Sequence, residues 1–309
     1  YLFEIHRRNR DSRYSLSIYH VGNRFPNIQR KFILLTKKKK SMITFVPVGG
    51  LANRMRAIHS AISLAENDEV RICWFKDKGL NCSFHHLFQP ISLSNVKLKE
   101  ANIWDKMLLD RPRRKNFHFP KLYQTIWFDA CLYEHQTYAN HIDFKQWKLS
   151  YNSIYIASYN QFYQPSYKLS EIFIPNNEIQ QRIEIACASH STHTIGIHIR
   201  RGDHKIAIQK SPICLFIEAM EKAIEQEGQT NFYLATDSES DKKLLTEKFG
   251  NRIITSPYPA ERNSIEGMKN AVVDLYALSR THTILGSYYS SFSEIAAELG
   301  GCKLHTLTL

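Results

Sequence analysis

The ten residues Ile195-Gly-Ile-His-Ile-Arg-Arg-Gly-Asp-His204 carry an apolar strand-like run straight into a histidine, two adjacent arginines and a Gly-Asp turn. A strand end that opens on a cleft is where α/β proteins place ligands. Arg200 and Arg201 each offer a planar fork of N–H donors that matches phosphate oxygens, and burying either without an anion is costly. The segment therefore asks for a phosphorylated ligand. The plainer alternative is a surface turn whose arginines pair with local carboxylates. Asp203 either takes a proton from an attacking hydroxyl or turns back to orient an arginine, and its position suits both roles.

Two other clusters have the same character. Gly49, Gly50 and Asn53 form a tight turn ahead of a helix, whose free backbone N–H groups attract an anion. Gly286-Ser-Tyr-Tyr-Ser-Ser-Phe-Ser293 is a hydroxyl-rich turn that also opens a helix. It either holds phosphate oxygens or simply caps that helix through Ser290 or Ser291. No Asp-x-Asp pair adjoins a strand end in a way that demands a divalent cation, so no metal site and no cofactor are expected.

The elements that must hold these residues alternate. From Ile43 the pattern runs strand, glycine turn, helix with Met55, Ile58, Ile62 and Ala65 on one face, then strand Val70 to Phe75. The stretch from about Asn81 to Tyr167 reads as irregular and unusually aromatic, either core or a sugar-stacking cleft. Glu171 to Asn177 reads as an interdomain crossing, followed by a helix around Glu178 to Ala188. Strand and helix then alternate through Thr194–Ile199, 212–225, 232–235, a helix ending at Phe249, 252–255, 265–279, 283–286 and 291–299. Asp237 or Ser238 caps the helix after the strand at 232–235, and Asp237 reads as a cap rather than a catalyst. Such alternation predicts an α/β chain of two Rossmann-like, doubly wound parallel sheets facing a cleft. The expected layout is a basic tail over 1–41, an N-terminal domain over 42–175 on the acceptor side, and a C-terminal nucleotide domain over 176–309.

Charge is distributed unevenly. Residues 1–41 hold eleven Lys and Arg against Glu4 and Asp11, which accounts for nine of the net twelve positive charges and leaves +3 for the rest. The body is therefore not expected to bind nucleic acid. The tail reads as solvated sequence or as a tether to an anionic membrane surface. No run approaches the about 18 apolar residues of a membrane span, and the first residues do not read as a secretory signal, so a cytoplasmic location is expected. Six scattered cysteines without CxxC pairs read as free thiols.

Three spaced motifs resemble the GDP-fucose-dependent fucosyltransferase superfamily, which includes protein O-fucosyltransferases and α1,6- and α1,2-fucosyltransferases. His198-Ile-Arg-Arg-Gly-Asp203 is similar to the HxRRGD signature. Asp274-Leu-Tyr-Ala-Leu-Ser279, then Gly286 and Ser290-Ser291-Phe292, resembles the aspartate, glycine and Ser-Ser-Phe pattern of the protein O-fucosyltransferases. Gly49-Gly-Leu-Ala-Asn53 is similar to the Gly-x-x-Gly-Asn loop, with Ala52 in place of the inner glycine. The resemblance implies a GT-B architecture and an inverting, metal-independent transfer of fucose from GDP-fucose to a glycan hydroxyl. It puts Arg200 on the β-phosphate with His198 and Arg201 beside it. Asp274 would read the guanine edge, Ser290, Ser291 and Phe292 would lie against the nucleotide, and Gly50 and Asn53 would approach the diphosphate or fucose from across the cleft. The expected setting is bacterial surface polysaccharide synthesis. Rival readings are a transferase of another GDP-sugar, a non-catalytic nucleotide- or glycan-binding module, and a nucleic-acid-binding protein with steep salt dependence.

Overall fold

The computed structural model describes residues 41–139, 142–202, 205–258 and 263–309. The basic tail apart from Ser41, and Asp203, lie outside these residues. The described residues belong to one compact unit. Its first sheet contains β1 (Met42–Pro47), β2 (Glu69–Trp74), β3 (Val96–Glu100), β4 (Ala130–Tyr133) and β5 (Ser153–Ser158), laid side by side as β3-β2-β1-β5-β4. The second contains β6 (Thr194–Ile199), β7 (Asn231–Thr236), β8 (Ile253–Thr255), β9 (Thr283–Ser287) and β10 (Lys303–Leu307), in the order β10-β9-β6-β7-β8. Every pairing is parallel, with Phe45 opposite Ile72 and Ile156, and His198 opposite Ala235 and Gly286.

Helices fill the connections. In the first half these include α1 (Leu51–Ala65), α2 (Ile103–Leu108) and α3 (Phe119–Trp127). The chain then crosses through α4 (Asn177–Cys187) to α5 (Ile213–Gln226), α6 (Glu239–Phe249), α7 (Ile265–Ser279) and α8 (Ser291–Gly300). Alternation along β1 sends Ile43 and Phe45 into the core that contains α1, and Val46 into the opposite layer with Cys73, Phe75 and Tyr155. Helix α1 is buried almost all round, as expected of a helix enclosed within a core and not lying on a surface. The same core takes in residues of α4, α7 and α8, so the two sheets share one continuous apolar interior.

Both sheets reverse their winding direction at a central strand. The first runs outward from β1 to β3, then crosses to the far edge at β4 and returns to β5 beside β1, and the second runs outward from β6 to β8 and then from β9 to β10. Loops at such a switch point part and leave a crevice beyond the strand ends.

One expectation is overturned. The stretch 81–167 is not irregular: it supplies β3, β4 and β5 of the first sheet. The edge strand Val96–Glu100 alternates valine and leucine with lysines, and β4 has only four residues, so neither shows a sustained apolar run. Its aromatic residues divide between environments. Tyr155 is wholly buried, Phe162 packs on Phe45 and Phe144, and Phe117 and Trp127 face solvent. The half-polar edge strand β10 was likewise not anticipated.

Candidate active site

The crevice between the sheets is a cavity of about 320 Å³, within the ~300–1,000 Å³ typical of small-molecule sites. Two helix starts bound it. Gly50 occupies the cap position of α1 and Ser290 that of α8, and neither helix receives a side-chain cap. The N-terminal turns of both helices line the same cavity. Two unblocked helix N-termini present backbone N–H groups and aligned peptide dipoles, an arrangement that attracts phosphate.

The loop before α1 is held by Arg54, which is fully buried. Its Nε donates to the carbonyl of Gly49 (2.8 Å), another nitrogen donates to the carbonyl of Phe75, and it pairs with Asp77 at 3.1 Å while lying over Trp74. Asp77 in turn accepts from the backbone N–H of Gly79 (2.8 Å), which lines the cavity. Gly49 adopts φ +86, a left-handed conformation that a side chain would strain. Arg54 was missed by sequence reading. Its signal is an arginine set among apolar residues of a buried helix.

At the end of β6, His198 and Arg200 line the cavity. His198 stacks on Phe292 with ring centres 4.8 Å apart, and its Nδ1 lies 3.4 Å from the Ser290 hydroxyl. Burial pulls its pKa down to about 4, which leaves the ring neutral near neutrality. The backbone N–H of Arg200 donates to Ser287 Oγ (2.9 Å), and its guanidinium is hydrogen-bonded to Asp237. The N–H of Arg201 donates to the other Asp237 oxygen (2.7 Å).

Arg201 itself does not join the cavity lining. Its Nε donates to Asp241 (2.7 Å) and a terminal nitrogen to the carbonyl of Ser211 (2.9 Å). Of the two adjacent arginines, Arg200 lines the cavity, and both pair with carboxylates, Arg200 with Asp237 and Arg201 with Asp241. Asp237 is not the cap of α6 either. Ser238 caps it, accepting from the N–H of Asp241 (3.2 Å). The orienting carboxylates are Asp237, just past the end of β7, and Asp241, in the first turn of α6, and sequence reading gave neither this role.

Gly202 explains why no side chain follows the arginines. It has φ +37, and a Cβ there would lie 2.8 Å from Asp237 Oδ2 and 3.6 Å from the Arg200 guanidinium. Gly202→Ala is expected to displace Asp237 and weaken its charge-assisted hydrogen bond to Arg200, lowering stability by about 2 kcal/mol. Urea denaturation of the variant beside the parent checks this.

On the far wall, Asp274 of α7 is 7% exposed and accepts a hydrogen bond from the Tyr233 hydroxyl (2.8 Å). Burial raises its pKa to about 6, against the opposing effects of Tyr233 and Lys242. The cavity therefore gathers Gly50, Asn53, His198, Arg200, Asp274, Ser290, Ser291 and Phe292 from three distant stretches of sequence. It also contains Arg56, which donates to Glu294 of α8 (2.9 Å) and joins the two halves beside the helix starts.

No protein-family profile matches the sequence, and no curated protein does. Solved structures do. The fucosyltransferase NodZ from Bradyrhizobium superposes with a TM-score of 0.55 at 18% identity over 84% of this chain and 93% of its own. An α1,6-fucosyltransferase NodZ crystal soaked with GDP-fucose gives the same score at 17% identity, over 84% of this chain and 93% of its own. Arabidopsis thaliana FUT1 in complex with GDP scores 0.54 at 16% identity, over 86% of this chain and 69% of its own. POFUT1 scores 0.50 at 10% identity, over 87% of this chain and 98% of its own. With two five-stranded parallel sheets, interleaved helices and a cavity at their switch points, the chain has the GT-B fold of these fucosyltransferases.

Proposed function

We propose that this chain is an inverting fucosyltransferase that moves fucose from GDP-fucose to a hydroxyl of a glycan acceptor. The observation that carries the reading is the meeting, in one cavity, of two uncapped helix N-termini, the Arg200 guanidinium and the buried Asp274 carboxyl. The fold it shares with enzymes crystallised with GDP or GDP-fucose supports the donor.

In this reading the diphosphate lies between the starts of α1 and α8. Breaking the bond from fucose C1 to oxygen builds positive charge on the sugar and negative charge on the leaving β-phosphate. Arg200, oriented by Asp237, stabilises that growing charge, and the neutral His198 contributes a ring N–H without adding a second fixed cation. Asp274 accepts from the N–H groups of the guanine edge, with Phe292 and the Ser290–Ser291 turn against the nucleotide. The acceptor enters from the side of the first sheet, beside Asn53 and Gly50, and attacks the sugar face opposite GDP. Asp203 is our candidate for the residue that receives the acceptor proton. We place the reaction in bacterial surface polysaccharide synthesis on the cytoplasmic side, a setting in keeping with the bacterial origin of NodZ.

Another GDP-sugar would use the same guanine contacts, so titration with GDP, GDP-fucose and GDP-mannose, followed by product analysis on a panel of glycans, separates the donors. Because the guanidinium occupies the place of a divalent cation in this mechanism, transfer is expected to persist in EDTA at a rate close to that without it. Loss of activity in EDTA and its recovery on adding Mg²⁺ or Mn²⁺ would show the mechanism to be wrong.

A further inference from the structure

We propose that the outer face of α2 and α3 is a docking surface for an anionic lipid bilayer. The two helices bridge β3 to β4 and cover the second face of the first sheet, where the Tyr155 hydroxyl donates to the carbonyl of Leu109 (2.7 Å). Their opposite side carries Ile103, Trp104, Phe117, Leu122, Ile126 and Trp127, each 64–91% exposed. The two helices pack on each other, so these exposed side chains lie on neighbouring elements and, with Phe117, on the turn that joins them. Soluble chains seldom leave so many large apolar groups in one place without a partner.

The connection between the helices is strained in the same region. Phe117 and His118 take φ values of 51 and 55, successive left-handed conformations in residues that have a Cβ, and Phe117 is 91% exposed. The turn is closed by the Phe117 N–H on the Arg114 carbonyl (3.1 Å) and the His118 N–H on the Arg113 carbonyl (3.0 Å).

Charge identifies the partner. Residues 103–127 hold six basic residues against Asp105 and Asp110, a surplus of four, which exceeds the +3 of all residues from 42 to 309. The rest of the body is thus slightly acidic, and its basic character is concentrated on this surface. Asp105 pairs with Lys99, Asp110 with Arg113, and Glu134 with Arg111. Lys106, Arg114, Lys115 and Lys121 have no carboxylate partner among the described residues and are exposed. Exposed tryptophans and aliphatic side chains edged by lysine and arginine suit the boundary between acidic headgroups and acyl chains, where both halves of such a surface are satisfied. This inference is independent of the donor reading.

The test uses the full chain with vesicles of phosphatidylcholine alone and of phosphatidylcholine mixed with phosphatidylglycerol. The chain is expected to partition onto the mixed vesicles, less strongly at high salt. Emission from Trp104 and Trp127, isolated as the difference from the Trp104→Phe/Trp127→Phe variant, should shift to the blue and be quenched by brominated acyl chains. Ile126→Glu/Trp127→Glu should lower partitioning at least about tenfold, since buried apolar area governs interfacial binding, while GDP titration stays as in the parent. Residues 1–41 are themselves basic, so vesicle binding without the emission change and without loss in the glutamate variant overturns the proposal in favour of the tail. Concentration-dependent dimerisation that the glutamate variant abolishes, with emission indifferent to lipid, also overturns it and makes the surface an interface between two copies of the chain.

Discussion

Arg200→Ala is expected to lower fucosyl transfer at least about a hundredfold while the chain stays folded, because removing one group placed against transition-state charge costs roughly 3–4 kcal/mol. The side chain lines the cavity at the end of a central strand and is not part of any of the three apolar clusters, so its loss leaves the packing intact. The alanine variant also takes away a guanidinium that partners Asp237, leaving that carboxylate's charge in the cavity. Affinity for GDP should therefore fall together with the rate. Arg200→Lys restores a charge without the planar fork and is expected to recover binding more than turnover. Single-turnover kinetics with saturating GDP-fucose separate the two effects. Turnover near that of the parent in Arg200→Ala would remove the residue from the reaction.

Asp274→Asn is expected to weaken GDP binding about ten- to hundredfold, the usual scale for a lost hydrogen bond to a charged group, and to reduce the preference for GDP over IDP and ADP. The amide keeps the shape but sets N–H donors against the N–H donors of guanine. Competition titrations with the three nucleotides check it, and an unchanged order of preference would take Asp274 out of base recognition.

The same residue sets a pH dependence. With a pKa near 6, Asp274 is ionised above that value and protonated below it. A protonated carboxyl is a poorer acceptor, so GDP affinity should fall about tenfold per pH unit below 6. His198 stays neutral until about pH 4, so it does not contribute in that window. The effect on stability runs the other way. A carboxyl whose folded pKa is raised supports the fold when protonated and withdraws that support as pH rises through about 6. In Asp274→Asn both dependences should flatten, which distinguishes this group from the exposed carboxylates.

Much of the architecture was legible because local chemistry and tertiary burial agree. The strand Thr194–Ile199 and the helix Ile265–Ser279 fall where apolar runs, caps and periodicity place them. Agreement fails where an element lies at an edge. Strand β3 intersperses lysines because one of its flanks has no neighbouring strand, and α3 turns leucine, isoleucine and tryptophan towards solvent, the reverse of the pattern that marks a core helix. A reading based on burial has no means of recognising a helix that is apolar on its outside.

By itself the sequence determined the alternating α/β plan, the glycine turn before α1, and the three motifs whose residues meet in one cavity, since each depends on periodicity or on a backbone conformation fixed locally. Only the tertiary structure decided which arginine lines the cavity. Side chains continue to alternate past the end of β6, so His198 and Arg200 share the cavity while Arg201 turns to Asp241 and the Ser211 carbonyl. It likewise decided that Asp237 orients the guanidinium and that Asp274 is buried enough to hold its proton up to about pH 6. Desolvation and salt-bridge pairing depend on groups that the chain brings together from 36 or more residues away, and no window of sequence contains them.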